Sequence, residues 1–340
     1  MTIRLSKSAI ETYQQCGLKY QFHYIDRYRS KLQDSPLFFG SALDEALNVF
    51  LLSKKKELTP EERETSEKDI VEVFVEKLTN VKILDDVVDI RFSELARYSN
   101  SDLDLSIFLP EDIQYVIVNN PVKEILPIKD MEELELFINE CQLAKKEKKL
   151  VGASEYILFN LCNWVSLKRK GLMLIEEYRV NVMPEILEVH SIQEVVHLPS
   201  PTGDYIIGFI DFIATFKDGV MRVMDNKTSS QRYTQQNIVD SLQLSIYTEF
   251  KNIKDCGFAV LEKKIRKKEP RVRSELIFGQ ISDEQLDRHF VEIEKAFEGI
   301  KAGVFEENKN SCFAYGKPCS FYDICHNGDD SKLVKLGEKK

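Results

Sequence analysis

No apolar run in the 340 residues approaches the roughly 18 to 20 needed to span a bilayer, and the opening MTIRLSKSAIETYQQC lacks the apolar stretch of a secretory signal. A membrane-spanning or secreted protein is not what this reads as, and a cytoplasmic setting is expected. There is no GxxxxGK[ST] phosphate loop, no internal repeat and no low-complexity segment, so neither a P-loop motor nor a solenoid is indicated. A CxxC knuckle is also missing, which weakens any zinc reading of the cysteines. Excess positive charge is absent too: the net charge is −9. A surface that clings to polyanions everywhere is excluded, and any such contact must be local.

What is present is enough apolar residue, 43%, to bury a real core in one large domain or two ordinary ones. Ser6 is placed to cap a helix whose Ile10, Tyr13, Tyr20 and Tyr24 mark one buried face, and a second helix is expected after Pro36. From about Glu61 to Lys170 the pattern is helical, with acid-rich starts at PEERETSEKDIVEVFVEKL and KDMEELELFINECQLAKKEKK. After Gly171 it reads as β, through LMLIEEYRVNVM, IQEVVHL, YIIGFIDFIATF and VMRVMDNK, with turns at Pro199 to Asp204 and at Asp218-Gly219. Helix returns at about Gln235 to Lys251 and at Ser282 to Ala302. The expected organisation is an N-terminal part of the core over 1–52, a helical insertion over 53–170, the rest of the core over 171–305 and a cysteine segment over 306–340. A basic tract, Lys263, Lys264, Arg266, Lys267, Lys268, Arg271 and Arg273, falls between two strand-like runs and reads either as a solvated turn or as a phosphate-contacting arm.

The chemistry concentrates between Gly208 and Tyr247. Strand side chains alternate faces, so Asp225 and Lys227 project together, and Asp211 on the preceding strand can reach the same spot. Two carboxylates and an amine are thus expected to meet at one sheet edge. Hard oxygen ligands suit Mg²⁺ or Mn²⁺, and a lysine beside such an ion can orient or deprotonate water and counter developing phosphorane charge. An unpaired carboxylate in the apolar run IIGFIDFIA would be costly, and a metal or the lysine relieves that cost. Asp225 and Lys227 could instead form a plain surface ion pair. Gln243 and Tyr247 could be a polar rim beside a core tyrosine.

At these residues the chain resembles the RecB-like branch of the PD-(D/E)XK nuclease superfamily, which includes AddB-type, phage and CRISPR-associated nucleases. The resemblance covers the first 50 residues and most of the chain from Gly171 onward. It implies an α/β fold, a restriction-endonuclease-like core with a mixed central sheet flanked by helices, here with a helical insertion. It implies that the GxxD strand ending at Asp211 and the D-x-K strand carrying Asp225 and Lys227 supply the metal carboxylates and the lysine, with the Asn226 carbonyl as a further ligand. Gln243 and Tyr247 match its QxxxY motif, one helical turn apart, with an implied role in positioning substrate. Each motif alone is weak; together, in order, they are strong. One departure stands out. Where the family has a histidine ligand in a GxxxHE pattern, this chain reads Gly40-Ser41-Ala42-Leu43-Asp44-Glu45. Asp44 is expected to replace the histidine and to tilt the site toward Mg²⁺. Adjacent helical residues point about 100° apart, so Glu45 cannot serve equally. Glu176 and Glu177 are read first as a strand edge and only second as site members.

Of seven cysteines, Cys312, Cys319 and Cys325 cluster near the end and Cys16 lies near the start. Disulfides are not expected in a cytosolic chain, and thiolates suit an iron–sulfur cluster or zinc, with unligated thiols as the remaining reading. The resemblance implies the first, one early and three late cysteines holding a [4Fe–4S] cluster that staples the chain ends. The gap of six residues between Cys312 and Cys319 departs from the family's usual two, while the gap of five before Cys325 agrees. His23 and His326 are close enough to replace a cysteine. Cys141, Cys162 and Cys256 read as core.

The resemblance implies a metal-dependent deoxyribonuclease, with exonuclease action on single-stranded ends in recombination, repair or phage DNA metabolism as the commoner mode. Tyr13, Tyr20, Phe22 and Tyr24 are base-stacking candidates, although a core role is the simpler reading. Without a helicase motif, any unwinding must come from a helicase or recombination partner. The alternatives are a DNA-binding accessory subunit with weak or no hydrolysis and a CRISPR spacer-processing nuclease.

Overall fold

The computed structural model of the protein describes residues 2–30, 32–34, 36–79, 89–91, 153–200, 203–264, 271–314 and 317–337. The helix expected over 129–149, Cys141, and Arg266, Lys267 and Lys268 lie outside the described residues. In chain order the elements are β1 (Arg4–Ser6), α1 (Lys7–Gln15), α2 (Gly17–Tyr20), β2 (Tyr28–Ser30), β3 (Leu32–Asp34), α3 (Pro36–Leu52), α4 (Pro60–Ser66), α5 (Ile70–Thr79), β4 (Asp89–Arg91) and α6 (Ala153–Asn181). Then follow β5 (Ile186–Pro199), β6 (Tyr205–Phe216), β7 (Met221–Ser229), α7 (Gln235–Val239), α8 (Leu242–Lys251), β8 (Asp255–Glu262), β9 (Arg273–Gln280) and α9 (Asp283–Lys301). The chain finishes with β10 (Phe313–Ala314), β11 (Lys317–Pro318), α10 (Tyr322–Asn327) and β12 (Leu333–Lys335).

These elements divide into two compact units. Met1–Lys31, Asn48–Lys68 and Glu176–Lys340 form the first, and Leu32–Leu47 with Asp69–Ile175 the second. The first unit holds a six-stranded sheet in the order β1-β6-β7-β8-β9, with β5 along the other edge of β6. It is mixed: β1–β6 and β7–β8 are parallel, and β5–β6, β6–β7 and β8–β9 antiparallel. Ile10 of α1, Leu244 of α8 and Phe297 of α9 are fully buried in one cluster with Ile210, Val223 and Val260 of the sheet. Burying each such side chain contributes about 1.5–3 kcal/mol, which fixes the helices over that face. The helix starts are set locally: Ser6 Oγ accepts from the Ala9 N–H at 3.2 Å, and Ser282 and Gln285 form a reciprocal capping box. Ser241 Oγ accepts from the Leu244 N–H at 3.1 Å, so the helix expected over Gln235 to Lys251 is two helices with a break before Leu242.

One sequence expectation is overturned. The stretch LMLIEEYRVNVM is not the first strand; α6 runs through Gly171 to Asn181, and the first long strand begins at Ile186. Buried Leu174, Ile175, Tyr178 and Val182 recur at helical spacing, not in alternation. Gly171 is no breaker either, because a Cβ there would lie 2.0 Å from Phe74 Cζ, so the glycine serves the close approach of that ring. Glu176 and Glu177 therefore sit on a helix, where Glu176 pairs with Arg179 at 2.6 Å and Glu177 accepts from Asn181 at 2.8 Å. They are not a strand edge.

Candidate active site and thiol pocket

The acidic site grows out of a fork in the sheet. β6 and β7 pair from Thr215↔Met221 only as far as Phe212↔Met224, while β7 goes on pairing with β8 through Ser229↔Glu262. Further along β6, β1 takes the edge that β7 has left, at Tyr205, Ile206 and Ile207. The Asn226 N–H, which would have continued the β6–β7 ladder, donates instead to Asp211 Oδ2 at 2.8 Å. The two carboxylates thus meet inside the sheet, where two strands part, and not at its outer edge as the alternation alone implied. Asp225 is 1% exposed. Its Oδ2 lies 2.6 Å from the Lys227 ammonium, an ion pair that offsets the cost of burying the carboxylate. The donors around it are all hard oxygens, which fits Mg²⁺ or Mn²⁺.

Lys227 is held from the helix layer. Its ammonium donates to Gln243 Oε1 at 2.8 Å, Gln243 Nε2 donates to the Tyr247 hydroxyl at 2.7 Å, and that hydroxyl donates to the Phe209 carbonyl. The chain of hydrogen bonds runs from the strand that carries Lys227 through α8 and back to the strand that carries Asp211. Burial pushes the Lys227 pKa down, but the neighbouring Asp225 and Asp211 carboxylates outweigh it and raise the value, so the ammonium form is favoured. Burial, and then the charge of Asp225, raises the Tyr247 pKa and keeps the phenol protonated. On the reverse face of β7, the Tyr178 hydroxyl approaches Asn226 Oδ1 at 3.4 Å. Sequence reasoning missed this support, since Tyr178 stood in a presumed strand; its helical spacing from Leu174 was the available signal.

Asp44 belongs to the second unit. It is half-buried on α3, whereas the adjacent Glu45 is exposed and pairs with Lys77 at 2.7 Å.

The thiol pocket is built from irregular backbone at the chain ends. Cys16, extended at φ −167° and ψ 115°, separates α1 from α2. Gly17 must be glycine, because a Cβ there would come within 2.8 Å of the Glu306 nitrogen. The two segments are tied by the Leu18 N–H to the Glu306 carbonyl at 3.1 Å, Asn308 Nδ2 to the Gln15 carbonyl at 2.8 Å and Tyr13 to the Val304 carbonyl at 2.8 Å. Cys16, Cys312, Cys319 and Cys325 then line one pocket with Phe22, Phe321 and His326. The Cys319 N–H bonds the Cys312 carbonyl at 2.7 Å, and Cys312 Sγ lies 3.6 Å from His326 Nε2. Burial, Glu307 and the neighbouring thiols raise the pKa of Cys312 and Cys325, so these two thiols resist ionisation. Soft thiol donors in one pocket fit a metal centre. Donor atoms of Glu307, Cys312 and His326 also lie within 4.8 Å of one another. Glu307 had no motif to announce it.

The aromatic residues near Cys16 are packed. Tyr20 is 6% exposed, stacked on Tyr24 at 4.9 Å and edge-on to Tyr13 at 5.6 Å, and Phe22 lies 5.7 Å from Phe321. Tyr20 is a core residue with Tyr13 and Tyr24 partly buried against the same core, while Phe22 lines the thiol pocket. Cys256 is fully buried, its pKa pushed up to about 12 by burial, and is a core residue.

A family model described as the PD-(D/E)XK nuclease superfamily matches residues 4–104 and 142–326. The chain belongs to that superfamily. The matched residues take in Asp44, Asp211, Asp225, Lys227, Gln243, Tyr247 and all four pocket cysteines, and the match supports the RecB-like reading of the motifs. No curated protein matches the chain. As a member of a superfamily of nucleases it is a nucleic-acid-binding hydrolase, and among the described residues no helix is long and apolar enough to cross a membrane.

Proposed function

We propose that this PD-(D/E)XK nuclease is a metal-dependent deoxyribonuclease acting on single-stranded ends, with Asp211, Asp225, the Asn226 carbonyl and Asp44 as ligands of Mg²⁺ or Mn²⁺. The observation that carries the reading is the fork: a buried Asp225 carboxylate paired with an ammonium that Gln243 holds, beside Asp211 on the parting strand. A divalent ion bound there supplies Lewis-acid polarisation of a phosphoryl oxygen and a lowered pKa for bound water. The chain's own groups supply the rest. Lys227, charged and aimed by Gln243, donates to the attacking water or to a phosphoryl oxygen and offsets the negative charge that builds during in-line displacement. Tyr247 keeps Gln243 in place. Cys16, Cys312, Cys319 and Cys325 would hold a [4Fe–4S] cluster that joins the chain ends and has no part in hydrolysis.

The test is cleavage of end-labelled single- and double-stranded DNA by anaerobically purified protein in Mg²⁺, Mn²⁺ or EDTA. Metal-dependent cleavage is expected, reduced on the order of 10²–10³-fold by Lys227→Ala. Asp44→Ala should raise the metal concentration needed for half-maximal rate; an unchanged requirement removes Asp44 from the ligand set. No cleavage by folded, cluster-loaded protein would instead favour a DNA-binding accessory role, with the Asp44 replacement as its cause.

A further inference from the structure

Among the described residues, one group of three metal-binding donors comes within 4.8 Å of one another, and two of its members are not cysteines: Glu307, Cys312 and His326. Cys312 Sγ lies 3.6 Å from His326 Nε2, and that nitrogen lies 3.8 Å from Glu307 Oε1. Ligand atoms bound at about 2.0–2.3 Å around one tetrahedral zinc stand about 3.3–3.6 Å apart, so a small turn of the carboxylate closes the set. The backbone holds the three at this spacing. Glu307 follows the residue whose carbonyl accepts from the Leu18 N–H at 3.1 Å, and Asn308 after it donates through Nδ2 to the Gln15 carbonyl at 2.8 Å. One 3₁₀ turn, Lys309–Ser311, then brings Cys312 round, its N–H on the Lys309 carbonyl at 3.2 Å. His326 comes from the last turn of α10, where its ring packs on Tyr322 at 4.4 Å, and Tyr322 packs at 5.2 Å on Phe313, the residue after Cys312. The neighbour of Cys312 thus steadies the ring that faces Cys312. The Glu307 and His326 side chains are 33% and 30% exposed, which leaves an ion a way in from solvent.

One thiolate, one imidazole and one carboxylate are the donor types of a zinc site with three protein ligands and an open fourth position. The thiol disfavours Mg²⁺ and Ca²⁺, which take oxygen ligands. We propose that Glu307, Cys312 and His326 bind a single ion of the Zn²⁺ class, its fourth position opening into the pocket lined by Cys319 and Cys325. The site differs from the four-thiol set in needing Glu307 and His326 and in not needing Cys16. Both draw on Cys312, so the pocket holds the ion or the cluster but not the two together. Once bound, the ion ties the segment after α9 to α10 without recruiting Cys16 from the start of the chain. The proposal is independent of the nuclease reading, whose metal carboxylates on the sheet stand on β6 and β7.

The test uses the full chain, produced in iron-poor medium, stripped anaerobically with a chelator and titrated first with Co²⁺ and then with Zn²⁺. One equivalent of Co²⁺ should give the visible bands of a tetrahedral site with the charge-transfer intensity of a single thiolate, and Zn²⁺ should erase them. This spectrum is read on the unaltered chain, so it decides even where a variant fails to fold. Glu307→Gln and His326→Ala, checked for folding by circular dichroism, should each weaken Zn²⁺ binding, measured against a chromophoric chelator, by at least the roughly 10–100-fold typical of losing a residue that only supports a ligand. Cys16→Ser, which removes a donor of the four-thiol set, should leave that affinity unchanged. A Co²⁺ spectrum of three or four thiolates, or a Zn²⁺ affinity that falls with Cys16→Ser and ignores the other two variants, overturns the three-donor site. So does the absence of one-to-one Zn²⁺ binding by the folded full chain. Each of these results leaves Mg²⁺-dependent cleavage, followed separately on end-labelled DNA, where it stood.

Discussion

The acidic fork and the thiol pocket lie in the same unit and are built by opposite means. Asp211, Asp225 and Lys227 stand on long strands whose register continues on either side, above a core that includes Val223, Phe258 and Val260. The four thiols come from four short, irregular pieces: a residue between two helices, the end of a 3₁₀ turn, the residue after a two-residue strand and a six-residue helix. The fork is held by the register of the long strands around it. The pocket is held by backbone bonds between segments far apart in the chain, such as the Leu18 N–H to the Glu306 carbonyl.

The comparison breaks most visibly through activity. Asp211→Asn keeps an oxygen to accept the Asn226 N–H but removes a ligand charge, so cleavage should fall about 10³-fold while Tm moves by no more than about 2 °C. A large drop in Tm would mean that the fork, too, depends on its charges for its shape. Cys16→Ser should do the reverse. It should bleach the brown visible absorbance and lower Tm by at least about 5 °C, the size of a loss of roughly 2 kcal/mol in a unit of this length. Cleavage per folded molecule should change little, and a loss matching that of Lys227→Ala would place the pocket in the chemistry.

A smaller effect separates two roles for α8. The QxxxY motif implied contact with substrate, but in the structure Gln243 receives the Lys227 ammonium and Tyr247 braces Gln243. Gln243→Leu should therefore lower kcat by about tenfold and leave KM near its original value. A rise in KM with kcat preserved would return Gln243 to the substrate.

How much of this was legible in the sequence follows from how local each feature is. The cap at Ser6, the helix starting near Ser282 and the strand carrying Asp225 and Lys227 depend on neighbours a few residues away, and all were readable. The end of α6 was misread because Leu172 to Met183 is apolar enough to pass for a strand, and only the burial of Leu174, Tyr178 and Val182 reveals the longer period. Gly171 looked like a breaker because the ring it accommodates, Phe74, is far away in sequence. The fork and the Gln243 link to Lys227 join residues of different elements, which no single stretch of sequence displays. The cysteine set could be counted but not placed, since Gly17 passing against Glu306 is what brings Cys16 to the other three.

The smallest expected effect sharpens the comparison from the pocket side. His23 lies in the π-helical turn after α2, its ring 6.1 Å from that of Phe321, which lines the pocket. Burial, then the charges of Arg29 and Lys19, lowers its pKa from 6.5 to about 4. The unfolded chain therefore binds the proton first as pH falls, and the stability that a neutral His23 provides is complete above pH 6.5 and lost on the way down to about pH 4. Acid should thus loosen the chain closure where His23 packs. In thermal melts between pH 7 and 4, His23→Gln should flatten the decline in Tm by about 2–4 °C, the equivalent of roughly 1 kcal/mol after allowing for partial solvent exposure of the ring. Parallel Tm curves for the two proteins would show that His23 stays neutral without cost and that the acid sensitivity of the closure lies elsewhere.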